Sequence, residues 1–264
     1  MSGRLKIKTL EIHLAHGCNL SCESCSHYSN QGHKGLLTTT EATKMFEQWH
    51  LRITPKSFIF LGGEPTINPK LPEFFEIARN FWPTTKLRLA TNGFFLHRHP
   101  TLPATLQKIK NARIELSIHH DSQEYLNKIR PALQLLQSWA QEYKIEVLVL
   151  NSLGRWTKRY YGEQETFEPF NDEDQRKSWE ICPAKHCIQL FEGKLWKCPP
   201  LAYLKLQSQQ FRLSSSWDPY IQYQGLDSDC NFEALEEFFN RQDESFCKMC
   251  TSKIIPFKLP SPIR

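Results

Sequence analysis

Nine cysteines fall into two groups: three between positions 18 and 25, none over the next 156 residues, and six from Cys182 to Cys250. Thiols serving only as small apolar side chains would scatter, so this clustering points to metal binding or catalysis. Cys18, Cys22 and Cys25 stand in C-x3-C-x2-C spacing. Three thiolates in one tight loop can bind three irons of a [4Fe–4S] cubane and leave the fourth open to a substrate or cofactor. Four-cysteine clusters, by contrast, carry electrons only. Zinc is the alternative, with His27 as a fourth ligand, although structural zinc usually takes two separated pairs. In the second group, Cys247 and Cys250 form a C-x2-C pair, preceded by Cys182, Cys187 and Cys198; Cys230 has no obvious partner and reads as a buried thiol.

The elements that must hold these groups alternate. Residues 8–14 read as a strand, with the first cysteine loop directly after it. Thr38 and Glu41 have capping-box spacing ahead of a helical apolar face of Met45, Phe46 and Trp49. Residues 57–61 form a short buried strand ending at Gly62-Gly63, and Pro72 opens a helix. Strands follow at 86–91, 113–119 and 145–150, separated by helices at 101–110 and 122–143, the second kinked or divided by Pro131. The run IEVLVL at 145–150 has the continuous apolar character of a strand buried in a parallel sheet. Such β-α-β order implies parallel strands with right-handed crossovers, whose functional rim lies at the strand C-termini. The unusual residues sit on that rim: the cysteine loop, Gly62-Gly63-Glu64-Pro65, Asn92, His119 with His120, and Asn151.

Beyond Asn151 the alternation stops, and a polar, acidic stretch places a boundary near Asp172. The expected architecture is α/β. A partial (β/α)5–6 TIM-like barrel over 1–171 precedes a small cysteine-rich β-hairpin/helix appendage over 172–264. Residues 188–191 and 194–197 flank a turn at Glu192-Gly193, which sets Cys187 across from Cys198. The appendage is too short and polar to build a core alone, so metal is expected to hold it together.

The C-x3-C-x2-C loop after the first strand, with Gly62-Gly63-Glu64-Pro65 after the second, resembles the radical S-adenosylmethionine (SAM) superfamily over nearly the whole chain. In that family the triplet holds a [4Fe–4S] cluster and the GGEP loop holds the methionyl amino group of SAM. Glycines there permit close backbone approach, and Glu64 offers a carboxylate to an ammonium. One position departs: the residue before the third cysteine is usually aromatic, near adenine, and here it is Ser24, with Tyr28 as the substitute. The resemblance also implies SAM contacts from Asn92, Ser117 and Asn151. The second cysteine group is similar to the twitch form of the SPASM appendage, which holds one auxiliary [4Fe–4S] cluster. Family spacing favours Cys182 and hairpin register favours Cys187, beside Cys198, Cys247 and Cys250.

The resemblance implies reductive cleavage of SAM to a 5′-deoxyadenosyl radical, with a flavodoxin- or ferredoxin-type reductant as partner. The layout is most similar to an aminocyclitol alcohol dehydrogenase of antibiotic biosynthesis. An alcohol oxidation needs a group for the hydroxyl proton, and the rim offers His119, His120, Arg155, Tyr160 and Tyr161. The expected substrate is a small polar molecule such as a sugar or aminocyclitol. A ribosomally made peptide, to be crosslinked or epimerised, is the alternative, disfavoured by the lack of an evident leader-binding domain. A non-enzymatic metal-stabilised binding or electron-transfer protein is the third reading. Composition bounds the rest. A net charge of +5 spread along the chain is weak evidence for nucleic acid, and no stretch approaches a membrane span. Charges at Arg4, Lys6, Lys8 and Glu11 deny the N-terminus a signal-peptide core, so a cytoplasmic protein without a disulfide framework is expected.

Overall fold

The computed structural model describes residues 3–153 and 157–256. Alternation on the first strands decides the layout. In β1 (Leu5–Ala15), Leu10, Ile12 and Leu14 face one way and are fully buried, as are Phe58 and Phe60 of β2 (Ile53–Gly62). Leu87 and Leu89 of β3 (Lys86–Thr91) and Ile114 and Leu116 of β4 (Ala112–Ile118) continue that face. Against it pack α1 (Thr39–Trp49), α2 (Leu71–Phe81), α3 (Leu102–Ile109) and α4 (Gln123–Tyr143), through buried residues such as Phe46, Phe75, Leu106 and Ile129. The opposite, concave face is polar, because period-2 geometry turns Glu11, His13, Arg88, Glu115 and Ser117 toward it.

All strands from β1 to β5 (Glu146–Asn151) run parallel to their neighbours. The sheet continues on the free side of β1: β6 (Ile188–Phe191) pairs parallel with it, Leu10 opposite Ile188, and β7 (Lys194–Trp196) closes an antiparallel hairpin on β6. The order is β5-β4-β3-β2-β1-β6-β7, so β1 is internal and one mostly parallel sheet of seven strands spans both halves of the chain, a partial TIM-like α/β fold. Glu192 and Gly193 make the hairpin turn with φ of 51° and 78°, the two positive values of a type I′ turn. Trp49 Nε1 docks that turn onto α1 by donating to the Gly193 carbonyl at 2.8 Å.

Helices α5 (Gln175–Glu180), α6 (Pro199–Gln210), α7 (Asp218–Ile221) and α8 (Phe232–Asn240) follow the barrel. A second core forms around α6, with Tyr28, Tyr160, Phe167, Tyr203 and Trp217 buried together. Phe167 stacks on Trp217 at 4.2 Å between centroids.

The Thr38–Glu41 capping box forms as expected. Two expectations are corrected. Of the two effects expected of Pro131, division does not occur: α4 runs unbroken for 21 residues with the proline inside it and with Ile129, Ala132 and Leu136 buried around it. Nor is β5 buried: it is the sheet edge, and Leu148 and Val149 are exposed. Its apolar run lacks a neighbour on one side. No described helix is long and apolar enough to cross a membrane.

Candidate functional site: two cysteine cavities that share an arginine

The loop after β1 is held against the loop after β2 by backbone contact. Gly63 N–H donates to the Ala15 carbonyl and Glu64 N–H to the Gly17 carbonyl, both at 2.9 Å. A Cβ on Gly63 would lie 2.1 Å from the Gly17 oxygen and 2.9 Å from the Cys18 nitrogen. The glycines are therefore needed for close approach to the chain's own cysteine loop. Gly63→Ala is expected to displace Cys18 and lower bound iron, measured by iron analysis of reconstituted protein. Wild-type iron content in this variant would refute the packing argument.

Glu64 is 1% exposed and caps the following turn. Its Oε1 accepts from the Thr66 and Thr91 hydroxyls, each at 2.5 Å, and from Thr66 N–H at 3.0 Å. Its Oε2 accepts from Asn92 N–H at 2.8 Å, tying the end of β3 to the same carboxylate. Burial pushes the Glu64 carboxyl above its ordinary pKa, against the pull of these donors. Asn92 turns its side-chain amide to Asn19 Oδ1 at 2.8 Å and to Cys18 Sγ at 3.7 Å. Leu20 N–H also points at Cys18 Sγ, at 3.4 Å.

Cys18, Leu20, Gly62, Gly63, Glu64, Thr91 and Asn92 line one cavity of about 210 Å³, together with Cys22, Cys25, Ser117, His119 and Arg159. Pro65 is buried at the start of the short turn behind Glu64. His119 Nδ1 lies 3.8 Å from Cys22 Sγ, and burial lowers its pKa to about 4. His27 reaches the same cavity, but its Nδ1 is bonded to His13 Nε2 at 2.5 Å.

The remaining rim candidates lie elsewhere. Tyr28 is buried against Tyr160 and Phe167, with its hydroxyl donating to the Pro200 carbonyl at 3.3 Å, so it belongs to the second core. The Tyr160 hydroxyl lies 3.2 Å from Asn30 Oδ1 and 3.4 Å from the Cys25 carbonyl, and burial drives its pKa far up; it braces the cysteine loop. His120 accepts from Ser122 N–H at 2.9 Å, at the entrance to α4. Asn151 is exposed at the end of the edge strand, its Oδ1 accepting from Leu153 N–H at 2.9 Å. Tyr161 is 50% exposed and packs on Phe170. Arg155 lies outside the described residues.

A second, small cavity of about 50 Å³ gathers Cys182, Cys198, Cys247 and Cys250. Cys187 is not among its lining residues and lies beside the buried carboxyl of Glu11, whose side chain binds Gln189 at 2.6 Å. Cys198 ends the hairpin as the N-cap of α6, and the ladder does not extend to the Cys187–Cys198 pair.

Among the described residues, no three His, Cys, Asp or Glu side chains are close enough to share a single metal ion. A cubane asks for something different, since each sulfur binds its own iron and the sulfurs stand apart. Three thiols in the first cavity and four in the second fit that demand. Unpartnered buried donors beside them, Asn19 Nδ2 in the first loop and the Arg159 guanidinium between the cavities, fit sulfur acceptors. Sequence spacing gave no sign of Arg159 or Thr91, and Ser24 stood out only as a departure from the resemblance. Ser24 adopts φ 54° and accepts from Arg159 N–H at 2.6 Å, which explains a small polar residue ahead of Cys25.

Residues 12–137 match the family described as the radical SAM superfamily. The chain carries a radical SAM domain. Its curated relatives include the 7,8-dihydro-6-hydroxymethylpterin dimethyltransferase of Methanocaldococcus jannaschii, 37% identical over 87 residues, which is 32% of this chain and 17% of that protein. A probable GTP 3′,8-cyclase of Methanococcus aeolicus is 29% identical over 130 residues, 47% of this chain and 41% of the cyclase. The matches thus span less than half of either relative. Among solved structures, BtrN in complex with AdoMet and 2-DOIA aligns over 94% of each chain with a TM-score of 0.52 at 16% identity, a likeness of fold. The radical SAM match runs from the end of β1 through most of α4, and takes in the first cavity's cysteine loop, Glu64 and Asn92.

Proposed function

We propose that this chain is a radical SAM enzyme that removes hydrogen from a C–H bond of a small polar substrate, of sugar or aminocyclitol type, and oxidises it by two electrons. The observation behind this is one cavity that unites Cys18, Cys22 and Cys25 with the Gly62–Glu64 loop, Asn92, Ser117 and His119. Cys18, Cys22 and Cys25 would hold a [4Fe–4S] cluster with one open iron, which supplies the electron that cleaves SAM to methionine and a 5′-deoxyadenosyl radical. Glu64 Oε2 accepts a single hydrogen bond from the protein, which leaves capacity for the SAM ammonium. Cys182, Cys198, Cys247 and Cys250 would hold a second cluster with every iron ligated, suited to taking up the second electron. A flavodoxin- or ferredoxin-type protein would supply the first.

His119 is the candidate at the cavity wall for the hydroxyl proton. Burial keeps its imidazole neutral near pH 7, so a ring nitrogen is free to accept. His119→Gln should keep both clusters and uncoupled SAM cleavage while lowering kcat for substrate about 10²-fold or more, the usual worth of a positioned base. An unchanged kcat would remove His119 from the reaction.

Anaerobically reconstituted protein reduced with dithionite should convert SAM to 5′-deoxyadenosine, and its absence would reject the proposal. Deuterated sugars and aminocyclitols would define the class, because the true substrate transfers its label to 5′-deoxyadenosine. Glu64→Ala should weaken SAM binding without loss of iron. It should also lower Tm, since two buried hydroxyls and the N–H groups of Thr66 and Asn92 lose their acceptor, at about 1–3 kcal/mol for each group left unpaired.

A further inference from the structure

A guanidinium keeps its charge in any protein environment, so burying one calls for acceptors and counter-charge around it. Arg159 is 3% exposed, and both terminal nitrogens, Nη1 and Nη2, are buried without a hydrogen-bond partner. No carboxylate forms an ion pair with it among the described residues: neighbouring Lys158 takes Glu23, and Glu244 is shared by Lys197 and Arg241. What surrounds the guanidinium is sulfur. Arg159 lines the cavity of Cys182, Cys198, Cys247 and Cys250, and it also borders the cavity of Cys18, Cys22 and Cys25. Its backbone N–H is fixed to Ser24, one residue before Cys25. Both terminal nitrogens are closed off from solvent, at the wall of the cavity that the four thiols line.

We infer that Arg159 is the built-in counter-cation of the second cysteine cavity and sets the reduction potential of the auxiliary [4Fe–4S] cluster held there. This rests on the reading of that cavity given under the proposed function. Reduction adds one electron to a ligand set that is already anionic. A fixed cation with hydrogen-bond donors aimed at the sulfurs stabilises the reduced form and raises the potential. The electron left on the substrate then has a more favourable acceptor, while the same residue's backbone keeps the first cysteine loop at a constant position.

The test uses the full-length chain with Cys18, Cys22 and Cys25 changed to Ala, so that one cluster is observed alone in an EPR-monitored redox titration. Adding Arg159→Gln should lower the reduced-to-oxidised ratio at fixed potential about tenfold, a midpoint about 59 mV more negative for one electron. Arg159→Lys, which keeps the charge, should shift it less. Loss of iron from the Gln variant but not the Lys variant would also support a counter-cation, since the two differ in charge. Loss from both, or a midpoint in the Gln variant equal to the parent's, would overturn the assignment. A parent that holds no cluster would overturn the auxiliary-cluster reading, and this inference with it.

Discussion

Changing Cys18, Cys22 and Cys25 together to Ala is expected to abolish SAM cleavage and to halve bound iron, from about eight to about four per chain if both cavities take cubanes. The three thiols lie in one loop between β1 and the first turn, and nothing else lining their cavity can replace three thiolates. Burial pushes Cys22 up to about 12 and holds Cys18 and Cys25 above the ordinary thiol range as well. In the metal-free protein these groups are therefore neutral thiols, and iron must displace their protons. Loading should improve as pH rises, because fewer protons then compete. Iron analysis together with 5′-deoxyadenosine formation under dithionite provides the check. Cleavage that survives in the triple variant would sink the assignment.

The second large effect separates the two cavities. Cys247→Ala with Cys250→Ala should remove about four irons, retain uncoupled SAM cleavage and eliminate turnover of the true substrate. Single substitutions sharpen it. Cys182→Ala should lose the same irons, whereas Cys187→Ala should keep the full complement, because Cys187 lies beside Glu11 and outside the four-cysteine cavity. The competing outcome is that the pair only staples the C-terminal segment, in which case both activities fall together with solubility. One zinc and only about four irons in the wild-type chain would refute an auxiliary [4Fe–4S] cluster outright.

Much of this was legible in the residues because its causes are local. Strand 86–91 is stopped by Asn92-Gly93, where Gly93 adopts φ 85°. Thr38 and Glu41 cap α1 through their own side chains. The cysteine triplet needs only a loop. What escaped depends on distant partners. Tyr28 and Tyr160 read as rim aromatics, but α6 and Phe167 bury them, and nothing in their neighbourhood in sequence announces that cover. The apolar run of β5 looked internal because a strand does not record whether a neighbour exists on its far side. Cys182 and Cys187 were inseparable because hairpin register predicts a pair only as far as the ladder extends. Arg159 left no motif at all, since its meaning lies in unpaired nitrogens between two loops far apart in the chain.

The parallel pairing of Leu10 with Ile188 carries a consequence for how the chain is made. Synthesis runs from the N-terminus, so β1 emerges early, finds β2 soon afterwards, and keeps its other edge bare until the hairpin has left the ribosome. Contacts so far apart in sequence form slowly, and an open edge on an internal strand invites pairing with other chains. That edge is covered only once β6 has docked and Trp49 has caught its turn.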